Sequence, residues 1–258
     1  SWVTSNPTIS GTVQQLLNQG VEPFELYNNG FPLDSLYGKN YQGGIIFYLD
    51  SVGGGIIAAP LDQAYTEWGC FMTPILGADG IEIGTGAQNT IDIEAVCWPT
   101  GTAADICANL TLGGYSDWFL PSKNELNEMY LNIGGGSSLG NIGGFLGVGN
   151  HNGFPLENYW SSSEIDSYDA WSQDLTNGIQ AGYDRDYNLN VRAIRYFSST
   201  IITNSVQVSN SGWNYVTVTD SLGCTASDSV YVNVSVGGCM NPVADNYNPN
   251  ATCENVAC

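Results

Sequence analysis

Residues 113–126 have the sequence GGYSDWFLPSKNEL, which predicts a buried strand that runs directly into a capped helix. The Trp-Phe-Leu-Pro run at 118–121 gives the strand an apolar end and a proline that terminates it. Ser122 precedes Glu125 by three residues, the spacing of a capping box, in which each side chain accepts a hydrogen bond from the other's backbone N–H. We therefore expect a helix over 122–132.

The same patterns place further elements on both sides of this segment. Two apolar runs separated by a glycine-rich turn predict a hairpin over 43–60. Helical periodicity predicts helices over 89–97 and 102–111. An Asn-Gly pair within 170–184 predicts a hairpin with a type I′ turn. Residues 190–197 are predicted to form the strand that closes the domain.

Residues 11–39 contain a loose internal repeat of three short units. Each unit combines a helical turn with a glycine at its end, and these glycines are Gly20, Gly30 and Gly38. We expect the three units to form a small helical collar that packs on the following domain.

Four motifs occur along the chain in an order typical of one family. They are the 113–126 segment, YWSSSE at 159–164, AWSQDL at 170–175 and NVRAIR at 190–195. Together they make residues 43–197 resemble the Lcl C-terminal-like family. The resemblance implies a C-type-lectin-like fold, related to the folds of formylglycine-generating enzymes and phage tropism-determinant proteins.

The end of the chain changes in character. The sequence VTVTDSLGC at 216–224 resembles the last strands of immunoglobulin-like repeats in secreted proteins of gliding bacteria. Residues 198–236 are too few for a complete sandwich of about seven strands and 100 residues, so a sheet edge is expected to stay open. Residues 237–258 resemble short cysteine-rich repeats, which need disulfides because they cannot build a core.

These observations predict an α+β protein: a C-type-lectin-like domain with a short helical N-terminal region and a small all-β C-terminal module. The predicted segments are an N-terminal segment and collar at 1–42, the lectin-like domain at 43–197, the partial immunoglobulin-like module at 198–236 and the cysteine-rich stub at 237–258.

The charge balance excludes polyanionic partners. The chain has 258 residues and a net charge of −20, with only five basic residues, so no basic patch can release counterions from nucleic acid. Some members of the resembled family are credited with binding sulphated polysaccharides, and the acidity argues against that ligand here. No apolar run is long enough to span a bilayer. Ser1 is not an initiator Met, so we expect a mature, secreted form at the cell surface.

Seven cysteines without a CxxC pair indicate disulfides in an oxidising compartment rather than a zinc site. Cys97 and Cys107 lie on neighbouring predicted helices and are the first predicted pair. Cys239 and Cys258 bracket the terminal segment and are the second. The odd number leaves one thiol free or paired outside the chain.

A cluster of carboxylates, Glu164, Asp166 and Asp169, extends from the last residue of YWSSSE to the residue before AWSQDL. A calcium ion takes several oxygen ligands, so this cluster is a candidate calcium site. Neither an EF-hand loop nor the Glu-Pro-Asn or Gln-Pro-Asp signature of sugar-binding lectins is present. Solvated turns are the alternative interpretation.

A second candidate site combines aromatic and acidic residues of neighbouring turns. Its members are Tyr168, Tyr183, Asp184, Asp186 and Tyr187. Such tyrosines can stack on sugars or on a protein partner, and scattered surface tyrosines are the alternative.

Three tryptophans and two arginines are predicted to have structural roles rather than binding roles. Trp118, Trp160 and Trp171 lie in strand motifs and are predicted to be core residues. Arg192 and Arg195 flank the last strand and are predicted to pair with carboxylates.

No catalytic set can be assembled from the sequence, so we expect no enzyme activity. His151 is the single histidine and lies in a glycine-rich loop without a nucleophile motif. Four Asp-Ser-aliphatic triplets resemble the O-glycosylation sequence of the Bacteroidota phylum, and their serines are Ser35, Ser51, Ser221 and Ser229.

The sequence supports two functional hypotheses. In the first, the protein is a structural or adhesive filament subunit, in which Trp2–Ile9 of a neighbouring copy completes the open sheet at 198–236. In the second, it is a monomeric glycan- or protein-binding module whose loops at 133–153 and 164–187 form the binding face.

Overall fold

The structure is a computed structural model in which the chain divides into two compact units, Ser1–Ile201 and Ile202–Cys258. It describes residues 10–51, 53–98, 100–145, 150–151, 154–155, 158–198, 211–219, 225–232, 237–244, 250–251 and 253–254. Helices and strands both contribute to the first unit, so the predicted α+β class is confirmed.

Six helices lie in the described part of the first unit. They are α1 (Val13–Asn18), α2 (Pro23–Asn28), α3 (Leu33–Leu36), α4 (Gly86–Val96), α5 (Ala103–Ala108) and α6 (Lys123–Ile133). The first three form the predicted collar, and Gly20, Gly30 and Gly38 follow them with φ angles of 90°, 93° and 77°. Among the described residues, no helix has the length and apolarity that a membrane span needs.

The strands of the first unit form two main sheets. These strands are β1 (Asn40–Tyr41), β2 (Gly44–Leu49), β3 (Gly55–Ala58), β4 (Ala64–Glu67), β5 (Asn150–His151), β6 (Phe154–Pro155), β7 (Asn158–Glu164), β8 (Asp169–Asp174), β9 (Gln180–Asp184), β10 (Asn188–Val191) and β11 (Ile194–Phe197). One sheet has the order β1-β2-β3-β11 and the other has the order β4-β10-β7-β8-β9, while β5 and β6 pair with each other. The β10–β7 pairing is parallel and the other pairings are antiparallel.

One continuous apolar core joins the two main sheets to the helices. Helix α6 packs on β2, β7 and β8, and α4 packs on β7 and α5. Trp118 and Trp160 are buried in this core as predicted. Trp171 was predicted to be a core residue as well, but it is half-buried, and the Lys123 ammonium lies 3.4 Å from its ring centroid.

The predicted capping box forms at the start of α6. The Ser122 side chain accepts a hydrogen bond from Glu125 N, and Glu125 Oε2 accepts one from Ser122 N at 2.8 Å. The other carboxylate oxygen of Glu125 accepts from Gly84 N at 2.8 Å and from the Tyr196 hydroxyl. Burial raises the pKa of Glu125. Its fully buried side chain therefore ties the helix to a loop and to β11, in addition to capping it.

The last part of the domain differs from its prediction. Residues 190–197 were expected to form one strand, but they belong to β10 and β11, which lie in different sheets. The chain changes sheet at Arg192, whose buried guanidinium donates hydrogen bonds to Asp62 Oδ1 and Ala59 O. The type I′ turn predicted at Asn177-Gly178 is also wrong, because five residues separate β8 from β9 and Gly178 N donates to Asp174 O.

Disulfide bonding is confirmed, but the first predicted pair is wrong. Cys70 bonds to Cys97, with a Cα–Cα distance of 5.5 Å, and Cys107 is a free, buried thiol whose pKa is raised by burial. Helix α5 turns Cys107 into the core with Ala103 and Ala104, whereas Cys97 lies just beyond the end of α4, beside the loop that carries Cys70.

The second predicted pair falls partly outside the described residues. Cys239 is disulfide-bonded. Cys258 lies outside the part of the chain that the structure describes.

The described part of the second unit is dominated by one hairpin. Strand β12 (Gly212–Thr219) pairs along its whole length with β13 (Thr225–Val232), and β14 (Gly237–Gly238) pairs with β15 (Cys253–Glu254) in parallel. Residues 206–208, which were predicted to be a strand, lie outside the described residues.

A close backbone contact holds the opening of the 113–126 segment. Gly43 and Gly113 both have positive φ angles, 88° and 65°, and a Cβ on Gly113 would lie 2.5 Å from Gly43 Cα. The neighbouring Gly114 has a similar φ of 85°, but a Cβ there would meet no atom within 4 Å.

We expect Gly113→Ala to lower the free energy of unfolding by about 1–3 kcal/mol more than Gly114→Ala. Both substitutions place an alanine at positive φ, and only the first forces two backbone segments apart. Urea unfolding followed by circular dichroism measures both losses, and equal losses would contradict the steric explanation.

Candidate functional site

Arg185 is a fully buried cation that joins three loops of the first unit. Its guanidinium forms a salt bridge with Glu164 and donates hydrogen bonds to the carbonyl oxygens of Thr73, at 2.9 Å, and Asp166. The guanidinium carbon also lies 4.4 Å from the ring centroid of Trp68. A charge in the interior is tolerated only when it is paired and hydrogen-bonded, so the positions of these loops are coupled to each other.

Glu164 extends the same network to the opposite loop. Its carboxylate accepts a hydrogen bond from Ile75 N at 3.0 Å, and its backbone N–H donates to Ala78 O at 2.7 Å. A further backbone hydrogen bond runs from Met72 N to Ser167 O at 2.8 Å. The loops 69–78 and 164–169 are thus fixed against each other by both side-chain and backbone contacts.

The backbone around Phe71 is held in an uncommon conformation. Cys70 and Met72 have φ angles of 52° and 67°, a region that costs a residue other than glycine about 1 kcal/mol or more. The disulfide to Cys97 and the hydrogen bond from Met72 N offset this cost. As a result, the side chain between them is directed away from the core.

Four exposed apolar side chains lie on these two loops. We call Phe71, Met72, Ile165 and Tyr168 the apolar patch. The rings of Phe71 and Tyr168 meet edge to face with their centroids 5.6 Å apart. Met72 is 63% exposed and Tyr168 is 47% exposed. The patch is therefore an exposed apolar surface on two loops that the buried Arg185–Glu164 ion pair holds together.

The structure brings together most of the predicted binding residues. The Tyr168 carbonyl accepts from Arg185 N, and the Asp184 carbonyl accepts from Tyr187 N, so these turns lie at one end of the sheet. Asp186 and Tyr187 are exposed there. Tyr183 was predicted to be in the site, but it packs against the core, with its hydroxyl 3.4 Å from Asn158 Nδ2.

The carboxylates that were predicted to bind calcium have other roles. Glu164 is paired with Arg185. The Asp166 carboxylate accepts from the backbone N–H groups of Asp169 and Tyr168, which lowers the pKa of Asp166. Burial, together with the neighbouring Asp166 and Asp184 carboxylates, raises the pKa of Asp169.

The predicted calcium cluster is not formed by these side chains in the described part of the chain. Its three carboxylates do not converge, and the described residues contain no group of three His, Cys, Asp or Glu side chains that could hold a metal ion. The turn uses Asp166 to stabilise its own backbone and Glu164 to neutralise a buried cation.

The prediction that Arg192 and Arg195 pair with carboxylates is confirmed. Arg192 Nε lies 2.6 Å from Asp62 Oδ1, and Arg195 pairs with Asp117. Each guanidinium also lies over an aromatic ring, 4.5 Å from Phe145 for Arg192 and 3.7 Å from Tyr115 for Arg195.

The predicted glycosylation serines differ in accessibility. Ser51 and Ser229 are exposed, and Ser35 is half-buried and donates its hydroxyl to Pro32 O at 2.7 Å. Ser221 lies outside the described residues. The side chain of His151 is likewise outside the description.

Sequence reasoning missed four residues of the site, Phe71, Met72, Ile165 and Arg185. One signal for Arg185 was present, since it lies between Asp184 and Asp186 in a chain with five basic residues. Gly69 and Pro74 flank this segment and mark a turn, but nothing in the sequence indicates that the turn exposes Phe71 and Met72.

Comparison with known proteins does not assign the chain to a family. No family model matches the chain, and the curated proteins contain no match either.

We expect Arg185→Ala to lower the free energy of unfolding by about 3–5 kcal/mol, because it leaves the Glu164 carboxylate buried without its cation. Arg195→Ala is the matched control. The side chain of its partner Asp117 is 62% exposed, against 8% for Glu164, so we expect a loss of about 1–2 kcal/mol. Urea unfolding measures both. A loss at Arg185 no larger than that at Arg195 would contradict the role of the buried pair.

Proposed function

We propose that the protein is a secreted, non-enzymatic recognition and adhesion protein of the cell surface, built on a C-type-lectin-like domain. The observation that carries the proposal is the apolar patch, an ordered and exposed surface with two aromatic rings in contact. Aromatic and methionine side chains are enriched where proteins bind partners. The mixed α+β architecture and the disulfide of the first unit support the lectin-like fold and the extracellular location.

The composition of the patch favours a protein partner over a glycan. Tyr168 could stack on a sugar ring, but Ile165 carries no hydrogen-bonding group, and the thioether of Met72 is only a weak acceptor for sugar hydroxyls. The turns that carry Tyr168 and Arg185 also carry the carboxylates of Asp166, Asp184 and Asp186, which we assign to the rim of the patch. A complementary partner therefore has an apolar anchor with basic residues around it.

The contacts that hold the apolar patch rigid favour a role in recognition. A rigid binding surface loses little conformational entropy when a partner binds. The Cys70–Cys97 disulfide and the Arg185–Glu164 pair provide this rigidity on both sides of Phe71. The patch should therefore bind without a rearrangement of its backbone.

We expect the double variant Phe71→Ala/Tyr168→Ala to lose at least about tenfold in affinity for a surface protein of the producing cells. Leu61→Ala, which removes another exposed apolar side chain, is the matched control and should bind as wild type. Surface-protein extracts passed over each immobilised variant, with a glycan array in parallel, measure the effect. If the double variant binds the surface protein as well as wild type does, the patch is not the binding site. If the variant loses binding only on the glycan array, the ligand of the patch is a glycan.

A second candidate function, self-assembly by strand addition, is favoured by the hairpin of the second unit. The described residues give it two strands, β12 and β13, and a two-stranded hairpin is marginally stable in water. One of its faces exposes Trp213, Tyr215 and Tyr231, with Trp213 and Tyr231 in edge-to-face contact at 5.5 Å. A strand from a neighbouring copy would add main-chain hydrogen bonds and extend this sheet.

We expect deletion of Ser1–Ser10 to abolish polymers of the secreted protein, because this segment contains the proposed donor strand Trp2–Ile9. Electron microscopy and the mass in solution measure assembly. The deletion leaves α1 and everything after it in place, so the helical signal in circular dichroism should be retained. Polymers that persist in the deletion variant would contradict the donor assignment.

A further inference from the structure

A groove between helices α4 and α5 is separate in its residues from the apolar patch and carries a different chemistry. It has a volume of about 440 Å³, within the range of small-molecule sites. Its lining comes from one face of α4, the end of α5 and the 113–126 segment. The lining residues are Ala87, Thr90, Ile91, Glu94, Ala108, Asn109, Asp117, Trp118 and Phe119.

Most of the groove surface is apolar. Ile91 is 60% exposed, and the buried residues Trp118 and Phe119 show their edges on the opposite side. The polar groups of the aromatic wall and of α4 are already satisfied, since Trp118 Nε1 donates to Leu112 O at 3.2 Å and Thr90 Oγ1 donates to Gly86 O at 2.8 Å. A ligand body that contacts these walls is therefore held by apolar contact.

Glu94 is the exception among the groove residues. Its Oε1 atom is buried and has no hydrogen-bond partner. Each turn of α4 places Ala87, Ile91 and Glu94 on the same face, so the carboxylate lines the groove together with the apolar residues. A carboxylate oxygen that is enclosed without a donor leaves its charge poorly compensated.

The other charged groups near the groove do not compensate this carboxylate. Asp117 pairs with Arg195. The Asp105 carboxylate accepts from Gly101 N at 2.6 Å and from Asn109 Nδ2 at 2.9 Å. Burial raises the pKa of Glu94, and the negative charge of Asp105 raises it further. A positive charge placed in the groove would stabilise the ionised form of Glu94, and the net charge of −20 would attract a cation and repel an anion.

We propose that this groove binds a small primary amine with an apolar body, whose ammonium group pairs with the Glu94 carboxylate. The apolar body lies between Ile91 and Trp118. The ligand's ammonium supplies the compensating charge that the described residues around Glu94 do not. This site is independent of the proposed recognition surface, and neither depends on the other.

The test uses three probes of equal chain length, n-pentylamine, n-pentanol and pentanoate, titrated into the full chain. Nuclear magnetic resonance follows the indole N–H of Trp118 and the methyl groups of Ile91. We expect saturable binding of pentylamine with a dissociation constant of about 1 mM. Pentanol should bind at least about tenfold more weakly, because it lacks the charge. Pentanoate should cause no shift.

Two isosteric variants separate a local contact from a general charge effect. Glu94→Gln should weaken pentylamine binding at least about tenfold and leave pentanol unchanged. Asp92→Asn removes the same charge from the same helix, at a side chain that accepts from Gln88 Nε2 at 3.0 Å outside the groove lining. It should bind pentylamine as wild type.

Three results with these probes and variants would overturn the proposal, and a fourth comes from a further probe. The first three are no saturable shift at Trp118 with pentylamine, equal affinities for pentylamine and pentanol, and equal losses in Glu94→Gln and Asp92→Asn. Nα-acetyl-lysine methylamide is a further arm that carries the same ammonium on a peptide backbone. Binding by this probe tighter than pentylamine would overturn the small-amine assignment and indicate a lysine side chain of a partner.

Discussion

The salt bridge between Arg185 and Glu164 is the constraint on which the surface of the first unit depends. Both side chains are almost completely enclosed, so neither can be moved without exposing an unpaired charge to the interior. Breaking the pair would therefore destabilise the conformation of every loop that contacts it. Because Arg185 also binds the carbonyls of Thr73 and Asp166, the strained turn at Cys70–Met72 is held in place. The buried polar contacts of Arg185 thus hold the exposed apolar patch in a fixed conformation.

The two other arginines repeat this arrangement elsewhere in the unit. Each pairs with a carboxylate, and each guanidinium faces an aromatic ring. Arg192 lies where the chain passes from one sheet to the other, and it binds the carbonyls of Ala59 and Gly143 as well. Arginine suits such positions because its planar group can satisfy several acceptors and stack at the same time. Three of the five basic residues are thus used as internal cross-links.

Local patterns in the sequence predicted local structure well. The capping box at Ser122 and Glu125, the three collar helices and the hairpin at 43–60 follow from contacts within a few residues, and all are present. The failures concern partners distant along the chain. Cys97 bonds to a cysteine 27 residues earlier, and Glu164 meets a cation 21 residues later, so spacing alone could not reveal either. The exposure of Phe71 depends on both contacts, which is why the site was only partly predicted.

The burial of the arginines also determines what the outside of the molecule can bind. Their positive charges are neutralised inside, so the accessible surface is left with carboxylates and few cations. The rim of the apolar patch and the Glu94 groove share this property, although their apolar parts differ in shape. In both places, apolar contact can supply affinity while the carboxylates select the sign of the ligand's charge. The same cross-links that fix the fold therefore bias the protein toward cationic or neutral partners.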